Sequence, residues 1–335
     1  MKASKFILLF LSYCALLSIT ALAQQQQTTY NATLDKYKYP YPVKHFPVGI
    51  EGNNYKMAYM DVAPAKKVPS PQTVVLFHGK NFMGAYWGKT IKYLSENGYR
   101  VVVPDQIGFG KSDKPDIHYS FHQLAYNTRK LLDTLKVTNA VVVGHSMGGM
   151  LATRFALMYP DFVQKLVLEN PIGLEDYKRF VPYKTIEELE KEELGRTGAS
   201  IRAYHKTYYP VWKPEYDEWV RVPAAQLKSK DYPQVAKSAA LTYAMIYEQP
   251  VVYEFSELKM PVLLVIGQED RTIVGKGYIK DEQTKKEHGK YPQLGKQTAE
   301  AIPNAKLLEL PKIGHIPHLE ATEQFHKTLL EFLKQ

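Results

Sequence analysis

Short, nearly unbroken apolar runs recur along the chain: Thr73 to Phe77, Tyr99 to Pro104, Ala140 to Val143, Lys165 to Leu168 and Pro261 to Gly267. Runs of this length suit strands covered on both faces, as in a parallel sheet. Between them lie stretches whose apolar positions fall three and four apart. These predict helices from about Tyr86 to Asn97, closed by Gly98, from Ser120 to Leu135, after Ser146, and from Glu320 to Leu333. Phe46 to Ile50 and Tyr55 to Val62 read as strands around the Gly52-Asn53-Asn54 turn, and Lys306 to Leu310 as the last strand. A short helix is expected near Gln297 to Ile302. Strands alternating with helices predict an α/β fold with a doubly wound, mostly parallel sheet.

The rhythm stops after Gly173 and resumes near Lys259. The intervening stretch is helical in pattern and dense in aromatic residues, among them Tyr204, Tyr208, Trp212 and Trp219. Singly such residues pack helices together; as a group between two sheet strands they predict a lid over an apolar pocket. The division expected is residues 24–173 and 259–335 as the core and 174–258 as an inserted helical cap. Ahead of it, Lys2 and Lys5 precede an apolar run from Phe6 to Leu22 that ends in Ala21-Leu22-Ala23. This is the layout of a secretory signal peptide over residues 1–23, so the mature chain should start at Gln24 and be exported, to the periplasm or beyond, with no stable membrane insertion. The polar leader from Gln24 to Thr29 reads as disordered, and Tyr37 to Pro42 as extended.

The run from Val141 to Val143 ends abruptly in Gly144-His145-Ser146-Met147-Gly148-Gly149, and a helical pattern begins at once. A serine at the apex of such a strand–turn–helix needs small residues two before and two after it, and it stands clear of the sheet. The N–H of Met147, at the helix start, points where an oxyanion would form. Serine is a weak nucleophile without a base within hydrogen-bond reach and a third group to hold that base. His315 follows the last strand in a Gly-His turn, and Asp270 follows the strand before it. In a parallel sheet, residues just past the strand ends gather on one edge, so Ser146, Asp270 and His315 converge there.

With these residues the chain resembles an α/β-hydrolase of the serine-nucleophile branch with a helical cap. The landmarks are His78-Gly79, Pro104-Asp105-x-x-Gly108-x-Gly110-x-Ser112, Gly144 to Gly149, Gly267-x-x-Asp270 and Gly314-His315. The resemblance implies that the N–H of Lys80, or of Asn81, is the second oxyanion donor. It is nearest to esterases, C–C bond hydrolases and cofactor-free haloperoxidases, and it leaves these open beside a low-turnover binding protein on the same fold. Glu169, at the end of the sixth strand, sits where some relatives carry the triad acid; the Gly-x-x-Asp turn favours Asp270. Asn81, Tyr208, Trp212 and Trp219 are the expected pocket residues.

Composition narrows the chemistry further. With 45% hydrophobic and 23% charged residues, the 335-residue chain is an ordinary globular one. Its single cysteine, Cys14, lies in the leader, which excludes thiol catalysis and cysteine-bound metals from the mature protein. The net charge of +9 is spread without a basic run, so no nucleic-acid partner is expected. Gly108-x-Gly110 lacks the third glycine of a dinucleotide loop, and no Gly-Lys-Ser/Thr or His-Glu-x-x-His occurs. His315 and His318 stand three apart in what reads as a loop, a weak signal for a metal. The expectation is a small-molecule substrate, no cofactor and no metal.

Overall fold

The apolar runs become the middle of a single eight-stranded sheet. The structure, a computed structural model, describes residues 29–335. The expected signal peptide and the start at Gln24 therefore lie outside the described residues. The strands are β1 (Val43–Ile50), β2 (Asn53–Val62), β3 (Thr73–Phe77), β4 (Arg100–Pro104), β5 (Ala140–His145), β6 (Val163–Glu169), β7 (Val262–Gly267) and β8 (Ala305–Leu310). Their spatial order is β1-β2-β4-β3-β5-β6-β7-β8. β2 runs antiparallel to β1 and β4, and every other pairing is parallel.

Alternation along each strand divides the core into two layers. Val75, Phe77, Val142, Leu166, Leu168 and Leu264 face one side, packed by the helices Phe121–Thr134 and Met147–Met158. Val74, Leu76, Val141, Val143, Val167 and Leu263 face the other, packed by Gly88–Glu96 and Thr322–Lys334. Helix starts follow local chemistry: Ser120 accepts the Gln123 N–H at 3.0 Å, and Thr185 and Glu188 form a reciprocal cap. The helix expected near Gln297 starts earlier, as Tyr291–Ala301 with a proline in its first turn, and the last helix is broken after Pro317–Glu320. A further short helix, Glu282–Glu287, hangs on the Asp281 cap.

Between β6 and β7 the chain forms an insertion with four α-helices, Ile186–Leu194, Gly198–Lys206, Asp217–Gln226 and Tyr232–Glu248. A strap from Asn31 to Tyr39 ties this insertion to the sheet. Tyr37 donates its hydroxyl to Glu218 at 2.6 Å, and Gln226 donates its side-chain amide to the Asn31 carbonyl at 3.1 Å. At its other end Tyr39 donates to Asp105 at 2.6 Å, and Lys111 reaches the Leu34 carbonyl, also at 2.6 Å. The Asp105 carboxylate also accepts the N–H groups of Gly84 and Lys111. The glycine-rich loop from Gly108 to Gly110 thus wraps a buried carboxylate, and a Cβ at Gly110 would collide with it. Among the described residues no helix is long and apolar enough to cross a membrane.

Candidate active site

Register brings the ends of β3, β5, β6 and β7 to one edge, with Phe77 opposite Gly144 and His145 opposite Glu169. Ser146 leaves β5 with φ 56° and ψ −121°, a conformation that costs a non-glycine residue on the order of 1–3 kcal/mol. Its neighbours permit it. A Cβ at Gly144 would overlap the Gly148 carbonyl, and one at Gly148 the Phe77 carbonyl. The strand and the helix Met147–Met158 pass too closely for any side chain there.

His315 faces Ser146 directly. Its Nε2 lies 2.9 Å from the Ser146 hydroxyl, and its Nδ1 lies 2.6 Å from Asp270 Oδ2. Asp270 also accepts the Asn170 amide at 2.8 Å and the Thr272 N–H at 2.9 Å. Burial alone would push its carboxyl up. Pairing with His315, and the bonds from Thr272 and Asn170, outweigh this and hold it below the ordinary carboxylate range. An ionised Asp270 fixes the imidazole proton on Nδ1, so Nε2 is left to accept from the serine. Ser146 is 7% exposed while His315 and Asp270 are 1% and 2%, so the serine is the most accessible of the three.

Glu169 does not touch this line. Its carboxylate accepts the His318 N–H at 2.6 Å and faces His318 Nδ1 at 3.0 Å, forming a second buried pair one turn beyond His315. Burial pushes Glu169 up and His318 down. The Glu169 carbonyl accepts the Ser146 N–H at 3.1 Å, so its backbone supports the elbow. Among the described residues no group of three His, Cys, Asp or Glu side chains is placed to hold a metal ion.

Met147 is the first residue of its helix, and its N–H has no earlier helical carbonyl to reach. On the facing loop Gly79 donates its N–H to the Tyr86 hydroxyl at 3.0 Å, which leaves the N–H of Lys80 as the next donor along that loop. The same Tyr86 hydroxyl lies 3.0 Å from His145 Nδ1, and His145 Nε2 lies 2.8 Å from the His315 carbonyl. Burial pushes His145 down to about 3, so the ring is neutral and relays between these partners: Nε2–H donates to His315, and Nδ1 accepts from Tyr86.

A sequence model of the family described as alpha/beta hydrolase fold matches residues 72–322. The chain belongs to the α/β-hydrolases. It is 46% identical to a probable hydrolytic enzyme from Pseudomonas aeruginosa, over 92% of this chain and 99% of that one, with a TM-score of 0.88. It is 27% identical to the 2-hydroxy-6-oxononadienedioate/2-hydroxy-6-oxononatrienedioate hydrolase of Paraburkholderia phymatum, covering 85% of this chain and 93% of that protein. A bromoperoxidase from Bacillus anthracis shares the fold at 22% identity, with a TM-score of 0.66 over 87% of this chain and all of that one. Hydrolase chemistry is the shared property of the family match and the curated relative.

In this α/β-hydrolase a cavity of about 480 Å³ opens onto Ser146, lined among others by Lys80, Asn81, Tyr204, Tyr208 and Tyr243. Asn81 donates its amide to the Tyr208 hydroxyl at 2.7 Å. The two tryptophans expected here stand elsewhere. Trp212 packs edge-on against Tyr209 and Tyr216 and donates to Asp217 at 3.1 Å, away from the cavity wall. Trp219 packs on Phe82 and Tyr86 and borders a neighbouring cavity that does not include Ser146. Sequence spacing marked both as insertion aromatics, but only tertiary packing decides which face the serine. The wall is also less apolar than expected, because Glu192, Glu193 and Arg196 contribute to it.

Three supporting residues had no recognisable sequence signal. Asn170 bridges Asp270 and the Gly267 N–H, and Tyr86 joins the loop after β3 to His145. Glu320 accepts the N–H of Gly314 at 3.1 Å and of Ile316 at 3.0 Å, bracketing His315. Burial pushes Glu320 up to about 7.

Proposed function

We propose that the chain is a serine hydrolase that cleaves a small to medium carboxylic ester or related acyl compound through an acyl-enzyme on Ser146. The observation that carries the reading is the hydrogen-bonded line from the Ser146 hydroxyl through His315 to Asp270, beginning at a strained elbow. His315 takes the hydroxyl proton as Oγ attacks the carbonyl carbon, and the Met147 and Lys80 N–H groups hold the oxyanion. As the carbon–oxygen bond of the ester breaks, His315 returns that proton to the departing alcohol. It then deprotonates a water that attacks the acyl-enzyme, and Ser146 is released with the free acid. One water is consumed, and one acid and one alcohol are produced.

In the same reading the helices between β6 and β7 act as a cap, with residues 24–173 and 259–335 as core and 174–258 as cap. The protein works after export, cut before Gln24. Cleavage of a C–C bond next to a carbonyl is a second reading, favoured by the similarity to the Paraburkholderia hydrolase.

The test is a serine-directed fluorophosphonate together with a panel of para-nitrophenyl esters and a vinylogous diketone. Stoichiometric label on Ser146, absent from Ser146→Ala, with ester turnover, is the expected result. Turnover of the diketone alone moves the assignment to C–C hydrolysis. A folded protein that takes no label and turns over neither is a binding protein. Mass spectrometry of the exported chain checks Gln24 as its first residue.

A further inference from the structure

Lys80 offers more than its backbone N–H to the cavity it lines. Its side chain crosses to the insertion and donates to the carbonyl of Ala239, in the helix Tyr232–Glu248, at 2.9 Å. On that helix Val235 borders the smaller cavity beside Trp219, while Tyr243 and Ile246 border the cavity over Ser146. Lys80, Asn81, Glu193 and Arg196 belong to both walls. The Lys80 ammonium is therefore anchored at the partition between the two spaces.

The charges in the Ser146 cavity are not balanced. Glu193 pairs with Arg196 at 3.1 Å. Glu192 pairs with Lys184 at 3.2 Å and accepts the Tyr278 hydroxyl at 2.5 Å. Lys276 stands exposed at the rim. Lys80 has no carboxylate within salt-bridge distance among the described residues, and a carbonyl takes only one of its three N–H groups. Burial pushes it down to about 8, with Glu193 and Arg196 acting on it in opposite directions. The Tyr243 hydroxyl, in a residue of the same wall, is buried with no partner among the described residues. A half-buried cation with donors to spare and an orphaned hydroxyl are what an apolar acyl chain leaves unsatisfied and an anionic one completes.

We propose that the Ser146 cavity selects acyl groups ending in a carboxylate, with Lys80 as the counter-ion. The proposal rests on the reading of Ser146 as the nucleophile. It adds the substrate class: monoesters of dicarboxylic acids, with the ester carbonyl at Ser146 and the free carboxylate at the partition. The exposed Lys276 at the cavity mouth favours the approach of the same anions.

The test compares two esters of equal length and leaving group, the para-nitrophenyl hemiester of adipic acid and para-nitrophenyl hexanoate. The wild-type protein should favour the hemiester in kcat/KM by about 10-fold or more, and salt should slow the hemiester far more than the hexanoate. Lys80→Met should lower the hemiester-to-hexanoate ratio by about 10- to 100-fold, the scale of one charge-assisted hydrogen bond. Lys80→Arg should restore much of it. A wild-type preference for hexanoate overturns the proposal while leaving Ser146 in place, as does a ratio unmoved in a folded Lys80→Met. Failure of both esters, with Ser146 unlabelled, removes the acyl-transfer reading instead. The wild-type ratio and its salt dependence decide the matter even if Lys80→Met does not fold.

Discussion

The Tyr208 carbonyl accepts the backbone N–H of His315 at 2.7 Å, and the Tyr208 ring stacks on the imidazole with centroids 4.8 Å apart. The insertion thus holds the histidine both by its backbone and by its face. A Cβ at Gly314 would run into that same carbonyl. Gly314→Ala should displace the His315 turn and lower kcat about 100-fold, because misplacing a reacting group by about 1 Å costs on that order. Circular dichroism should still report a folded protein. Unchanged kcat would show that the turn tolerates the shift.

Asp270 and Glu169 are both buried carboxylates beside a histidine, but only Asp270 holds His315. Asp270→Asn removes the charge that fixes the proton on Nδ1, and kcat should fall by about 10⁴-fold, as in serine protease triads. Glu169→Gln keeps an acceptor for the His318 N–H, so kcat should change less than about 10-fold. Its cost should appear as a loss of about 1–3 kcal/mol in stability. The opposite order in kcat would reassign the acid.

Trp212 fastens the insertion to itself through Tyr209, Tyr216 and Asp217. Trp212→Ala should lower stability by about 2 kcal/mol and leave the ranking of kcat/KM across acyl chain lengths unchanged. A reordered ranking would place the indole in the substrate path.

His205 sits buried in the insertion against Phe82 and Tyr208, with Nδ1 unpartnered. Burial, with Arg196 nearby, pushes it down to about 3 from the ordinary imidazole value of 6.5. The unfolded chain takes up its proton below about 6.5 and the folded one does not, so stability is complete above that pH and drains away as pH falls towards 3. Through that window the group contributes a slope of about 1.4 kcal/mol per pH unit. His205→Phe should remove that slope in denaturant titrations repeated between pH 4 and 8. Parallel wild-type and variant curves would mean that water or a partner satisfies the ring.

The elements that carry chemistry were legible because their signals are local. A β-branched run, a Gly-His-Ser-Met-Gly turn and a helical period lie within a few residues of each other, and Ser146, Asp270 and His315 follow the ends of β5, β7 and β8 in the turns that close those strands. What escaped depends on register between distant segments. Asn170 reaches Asp270 only because β6 and β7 lie side by side with Glu169 opposite Val265. Tyr86 meets His145 from a distant loop, whereas Glu320 is close in sequence and brackets His315 only because the short helix Pro317–Glu320 turns its carboxylate back on that turn. In the insertion, helical period identified aromatic faces but not their neighbours, so Trp212 and Trp219 were expected beside Tyr208 although their rings turn to other packing.

The strap from Asn31 to Tyr39 changes what kind of object the insertion is. A panel joined to its frame only where its chain leaves and returns swings like a door. This one is also latched at Glu218 and Gln226, well away from those two joints. With the bonds from His315 to the Tyr208 carbonyl and from Lys80 to the Ala239 carbonyl crossing the same gap, the latch leaves no axis for the panel to turn about as a whole. While the latch holds, the way to Ser146 is the standing cavity lined by Lys80, Tyr204 and Tyr243, not a gap made by lifting the panel.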